Sequence, residues 1–110
     1  MSNYTPDNWV IVEIKGEEGT FYKVLAGWIG GYLSGDSWRM NSGIARVEED
    51  DDSFYFYGKS GSVYECFKKY YGMRSNTSEV FARLVENFGN MIYLMPEKTD
   101  WKSLDFSVCL

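Results

Sequence analysis

The sequence predicts an α+β domain: an antiparallel, strongly twisted β-sheet of about six or seven strands with one helix packed on a face. Three observations predict it. Short runs of alternating apolar and polar residues recur along the chain, turn residues separate them at short intervals, and one segment carries a helical apolar stripe. A length of 110 residues, 45% of them hydrophobic and 25% charged, fits a single domain over residues 1–110.

From Trp9 to Lys15 the chain reads Trp-Val-Ile-Val-Glu-Ile-Lys, which puts Val10, Val12 and Ile14 on one face of a strand and Glu13 and Lys15 on the other. A turn at Glu17-Glu18-Gly19 lets the run Phe21 to Trp28 pair back as a hairpin. The segment Trp28 to Gly43 holds several glycines together with Trp28, Tyr32, Trp38 and Arg39, and is expected to form a structured loop. A meander follows: Ile44 to Glu49, an acidic turn through Asp50, Asp51 and Asp52, Phe54 to Gly58, a turn at Lys59-Ser60-Gly61, and Ser62 to Phe67.

Val80, Phe81, Leu84, Val85 and Phe88 recur at helical spacing, so a helix is expected from about Val80 to Phe88, capped by Asn76 or Thr77 and ended by Gly89. Two further strands are expected, Met91 to Met95, stopped by Pro96, and Leu104 to Leu110, where apolar and polar residues alternate strictly.

Aromatic content stands out at 4 Trp, 9 Tyr and 7 Phe. One small core cannot enclose that much ring surface, so some rings are expected at the surface, where Tyr and Trp make stiff contact area with a polar tip. The net charge of −5 and pI near 4.6 argue against nucleic acid as the main ligand, since that affinity comes from Lys and Arg. Acidity is concentrated in residues 1–52, with ten acids against four bases, and suggests a partner with a basic surface.

The absence of His removes Ser-His and Cys-His nucleophile pairs and the commonest general base. Gly58-Lys59-Ser60 matches the end of a phosphate-binding loop, but Ser53 stands where that loop needs its first glycine. Two cysteines, Cys66 and Cys109, without His do not complete a four-ligand zinc site. Neither a cofactor nor a metal is therefore expected, and a non-enzymatic role is. The N-terminus shows no signal-peptide pattern and no apolar run approaches the ~20 residues that span a membrane, giving the expectation of a cytoplasmic protein with no membrane partner.

The run Glu48-Glu49-Asp50-Asp51-Asp52 reads either as a solvated hairpin tip or as an acidic epitope that steers docking onto a basic groove. The sequence-predicted contact residues are Trp28, Tyr32, Trp38 and Arg39 as anchors, with Glu48, Glu49, Asp50, Asp51 and Asp52 for steering. One alternative is nucleotide binding, with rings of the glycine-rich segment stacking on a base while Arg39 or Lys59 holds phosphate. Another is a structural or assembly role. Self-association through an open sheet edge, giving a homodimer, is a further expectation.

The stretch Gly27-Trp28-Ile29-Gly30-Gly31-Tyr32 through Asp36-Ser37-Trp38-Arg39-Met40-Asn41-Ser42-Gly43-Ile44, with Gly58-Lys59-Ser60-Gly61-Ser62-Val63-Tyr64, resembles small acidic proteins encoded by tailed bacteriophages. What the resemblance implies is an origin and a kind of partner. Small acidic phage proteins of this kind often act early in infection by binding and blocking a host protein, immune effectors such as CRISPR complexes included. It assigns no role to any individual residue.

Overall fold

The computed structural model describes residues 3–17, 19–31, 35–104 and 106. Its strands are β1 (Asn3–Tyr4), β2 (Asn8–Gly16), β3 (Gly19–Gly31), β4 (Gly35–Met40), β5 (Ile44–Glu49), β6 (Ser53–Gly58), β7 (Val63–Phe67) and β8 (Ile92–Leu94), with one α-helix, α1 (Ser75–Phe88). Three 3₁₀ turns, Lys68–Tyr70, Gly89–Met91 and Trp101–Ser103, join or flank them. The α+β class holds, but the single sheet does not: among the described residues eight strands form two four-stranded sheets.

The first sheet runs β4-β3-β2-β8, and the second runs β1-β7-β6-β5. Pairing is antiparallel throughout except that β1 lies parallel to β7.

Two layers of sheet arise because β2 and β3 are apolar on both faces. Trp9 and Ile11 of β2, with Tyr22, Val24 and Ala26 of β3, meet Ile44, Phe56, Tyr64 and Cys66 of the second sheet. Val10, Val12 and Ile14, with Leu25, face the opposite way and are covered by Val80 and Phe81 of α1 and by Ile92 of β8. A strand buried on both sides cannot alternate apolar with polar. Each fully buried aliphatic side chain here contributes about 1.5–3 kcal/mol through loss of water contact.

The glycine-rich segment is mostly strand and not loop over its described length, since β3 continues to Gly31 and β4 runs from Gly35 to Met40, leaving residues 41–43 outside a strand. Close approach explains the glycine just before this segment. A Cβ on Gly27 would lie 2.8 Å from Asn8 Oδ1 and 2.8 Å from Thr77 Cγ2, both on buried side chains. Gly27→Ala is accordingly expected to destabilise the protein by about 1–3 kcal/mol through overpacking; a urea midpoint equal to that of the parent protein would show that the helix is not held so tightly.

Asn41 ends β4 by standing in for a strand neighbour. Its backbone N–H donates to the Val24 carbonyl at 3.1 Å and its Oδ1 accepts the Val24 N–H at 2.9 Å, satisfying both groups of a fully buried residue. The chain then crosses to the second sheet through Gly43, whose φ of 136° favours glycine.

The helix starts earlier than its apolar stripe suggests, and its cap differs. Thr77 Oγ1 accepts the Arg74 N–H at 2.9 Å and is itself buried beside Asn8, so a side chain inside the first turn reaches back. Gly89 ends the helix as expected, its N–H donating to the Val85 carbonyl. Val80 is buried, Phe81 and Leu84 are partly so, and Val85 and Phe88 remain exposed.

The expected strand at Met91 to Met95 appears as Ile92–Leu94. Of the expected strand Leu104 to Leu110, Leu104 and Phe106 pack on the core between the sheets without forming a strand, and the remainder lies outside the described residues. Trp101, in the 3₁₀ turn Trp101–Ser103, is 1% exposed and packs against Trp9, Phe56 and Tyr71. No helix among the described residues is long and apolar enough to cross a membrane.

Candidate functional site

Alternation along β6 divides its rings between two environments. Phe54 and Phe56 turn toward Trp9 between the sheets, so Tyr55 and Tyr57 turn to the outer face of the second sheet. Register places Glu48 opposite Tyr55, Arg46 opposite Tyr57, and Glu65 on the other side of Tyr55. Among the described residues the α-helix lies on the other sheet, which leaves this face uncovered by a helix.

The polar groups of the face hold one another in place. Tyr57 donates its phenol to Glu48 Oε1 at 2.6 Å, the Arg46 guanidinium bonds Glu48 Oε2 at 2.8 Å, and Arg46 lies 3.6 Å from the centroid of the Tyr57 ring. Tyr55 donates to Asp50 Oδ2 at 2.6 Å. The other oxygen of Asp50 accepts the Asp52 and Ser53 N–H groups at 3.0 and 2.8 Å, which fixes the β5–β6 turn by the side-chain mimicry that makes Asp a turn residue. Ser53 Oγ bonds Glu65 Oε2 at 3.4 Å on the same face.

These bonds keep the face anionic. The hydrogen bond from Tyr57, then that from Arg46, holds the Glu48 carboxyl below its ordinary value, and Tyr55 with the turn N–H groups does the same for Asp50. The reciprocal effect pushes the Tyr55 phenol up to about 12, chiefly through its bond to Asp50. Both phenols are thus protonated donors at neutral pH, unsuited to act as bases or nucleophiles there.

The five acids predicted to steer a partner therefore differ in availability. Glu49 is bound by Lys68 at 2.6 Å and Lys102 at 2.9 Å, so it ties β5 to the flanking 3₁₀ turns. Asp50 is a turn clamp, and Glu48 is shared with Arg46 and Tyr57. Asp51 and Asp52 are exposed and line an open cleft of about 280 Å³ with Phe67, Lys68 and Lys69.

The predicted anchors lie in the first sheet and do not join the acids in one patch. Trp28 is half-buried, donates its indole N–H to the Thr5 carbonyl at 3.1 Å and meets Tyr4 edge-on, so it secures the N-terminal segment. Arg39 stacks 4.7 Å from the centroid of the same Tyr4 ring. Trp38, 48% exposed, points to the opposite face of that sheet, beside Gly27. Tyr32 lies outside the described residues. Arg46, Tyr55, Tyr57 and Glu65 were missed by sequence reading, although the alternation Phe54-Tyr55-Phe56-Tyr57 already separated phenols from phenyl rings.

Among the described residues no group of three or more Cys, Asp or Glu converges as metal ligands would. Cys66 is buried, and burial pushes its thiol well above the ordinary value, which makes it a poor nucleophile. Fold and face together define an acidic, tyrosine-lined β-sandwich with a helix on one outer side. No protein-family model, curated protein or solved structure matches the chain.

Proposed function

We propose that this is a non-enzymatic protein that docks the outer face of its second sheet on a basic surface of another protein and blocks it. The carrying observation is that two phenols are already bonded to carboxylates, Tyr57 to Glu48 and Tyr55 to Asp50, each at 2.6 Å. Such a face loses little side-chain freedom on binding, because its rings and charges are held in place beforehand. Glu48, Asp50 and Glu65, with Asp51 and Asp52 at the β5–β6 turn, outnumber Arg46 and the Lys68 and Lys69 that line the cleft beside Asp51 and Asp52, so approach of a Lys- or Arg-rich surface is favoured and phosphate is repelled. On the resemblance to small phage proteins, the partner we propose is a host protein in the bacterial cytoplasm, an immune effector of the CRISPR type being one such target.

An arginine-rich peptide is a suitable probe, titrated into isotope-labelled protein and followed by amide chemical shifts. Shifts are expected at residues 46–57 and at Glu65, with affinity falling steeply as salt is raised. Combining Glu48→Gln, Asp51→Asn, Asp52→Asn and Glu65→Gln while keeping Asp50 as turn clamp is expected to weaken binding roughly tenfold or more. Shifts centred elsewhere, or equal binding by that variant, would overturn the reading.

The pH dependence has a defined sign. Because Glu48 and Asp50 are held below their ordinary values of 4.5 and 3.8, their contribution to stability is present above those values and is lost as pH falls through the lowered ones. Tyr55 acts at the other end, its contribution present below its ordinary 10.0 and lost as pH rises toward about 12. Ultraviolet titration of phenolate checks this: Tyr55→Phe should remove one of the phenols that ionise near 12 and leave Tyr64 and Tyr71, which burial pushes up to about 12 as well.

A further inference from the structure

Among the described residues no strand pairs with the outer edge of β8, which ends the first sheet. From Asn87 to Pro96 the chain carries no charged residue, so the Lys and Glu side chains that usually keep sheet edges apart are missing until Pro96 itself. Apolar surface gathers at the same place. Of the eight large apolar side chains exposed among the described residues, five are Val85, Phe88, Met91, Tyr93 and Leu94, at 39–48%.

The backbone of this edge is self-complementary. The Met95 N–H donates inward to the Ile11 carbonyl, and β8 pairs with β2 in regular antiparallel register from Ile92 to Leu94. Inward and outward groups alternate along such a strand, so Tyr93 bonds inward, whereas the Leu94 N–H and the Ile92 and Leu94 carbonyls point away from the sheet. A twofold axis beside Tyr93 would bring each Leu94 N–H to the partner's Ile92 carbonyl, two equivalent bonds from one surface, as an isologous contact requires.

We propose that this edge binds a second copy of the chain, joining two four-stranded sheets into one of eight strands. On the helix side, Phe88, Met91 and Leu94 would close over the junction against their counterparts. On the other side the two Tyr93 rings would lie next to each other, each with Lys15 Nζ at 5.0 Å from its centroid. A second copy fits better than an unlike strand because the uncharged edge carries nothing that would select a different sequence, while the outward groups match their own symmetry mate. The contact is separate from the acidic tyrosine face, which belongs to the other sheet. Its small size makes the dimer weak, with a dissociation constant of ~1–100 μM.

Sedimentation of the full chain from about 1 μM to about 1 mM reads the association directly. Wild-type protein should shift from monomer to dimer, and Leu94→Lys or Phe88→Ser, each at an exposed position and checked for folding by circular dichroism, should raise the dissociation constant roughly tenfold or more. In the symmetric pairing the residue 93 positions face each other as a non-hydrogen-bonded pair, close enough for a disulfide. Tyr93→Cys should therefore give a covalent dimer through residue 93 on mild oxidation, absent from wild type treated alike. A monomer throughout the range, variants that associate as tightly as wild type, or failure of the cross-link would overturn the proposal.

Discussion

Trp9→Ala is expected to remove about 3–5 kcal/mol of stability, enough to unfold much of the population of an ordinary small domain. Trp9 is 1% exposed and its ring meets Phe54, Phe56, Tyr71 and Trp101 at centroid separations of 4.7–6.3 Å. It also joins the layers covalently distant in sequence: its indole N–H donates to the Phe67 carbonyl of the second sheet at 2.7 Å. Trp9→Phe separates the two roles, retaining most of the ring while leaving a carbonyl unpaired, and should cost less than alanine but still about 1–3 kcal/mol. Denaturant titration measures both; a loss under about 1 kcal/mol for the alanine variant would mean that the sheets do not meet through this residue.

Trp101→Ala is expected to cost a similar amount, about 3–5 kcal/mol, for the same reason of lost aromatic volume. Phenylalanine is the informative replacement. Among the described residues the buried Trp101 indole N–H has no hydrogen-bond partner, so removing it relieves a desolvation penalty that partly offsets the smaller ring. Trp101→Phe should therefore be milder than Trp9→Phe, although both residues are 1% exposed. The reverse order would indicate that the Trp101 N–H is satisfied in solution.

The contrast between these residues also shows where local pattern carried the fold and where it failed. The β2–β3 hairpin, the β5–β6–β7 meander and the end of α1 at Gly89 follow from alternation and turn chemistry, which act over a few residues. The second layer depended on reading Trp9 and Ile11 as an apolar face opposite Val10, Val12 and Ile14, because a strand covered on both sides gives a continuous apolar run. Trp101 sits between two polar stretches with no periodicity around it, so its burial is decided by tertiary packing alone. Gly30, Gly31 and Gly35 read as part of a loop because glycine disfavours strands, whereas β3 runs on to Gly31 and β4 begins at Gly35; Gly27, inside the expected strand, clears space for Asn8 and Thr77.

The candidate site was half legible for a similar reason. A run of five acids is visible in any composition plot, but which of them are free depends on partners distant in sequence. Lys102 reaches Glu49 from the far end of the chain, and Glu65 arrives from β7. The aromatic residues of the face are Tyr55 and Tyr57, inside the meander and opposite the acids, and not the tryptophans of β3 and β4. The candidate face rests on what the pairing register brings together, which neither charge nor aromatic content specifies.

The most direct test of docking through the tyrosine face is the titration of labelled protein with an arginine-rich peptide at low and high salt. Salt-sensitive shifts confined to residues 46–57 and Glu65, diminished in the charge-neutralised variant, are the predicted result. Binding centred on Trp28, Trp38 and Arg39, or binding indifferent to salt and to loss of the four carboxylates, would contradict it.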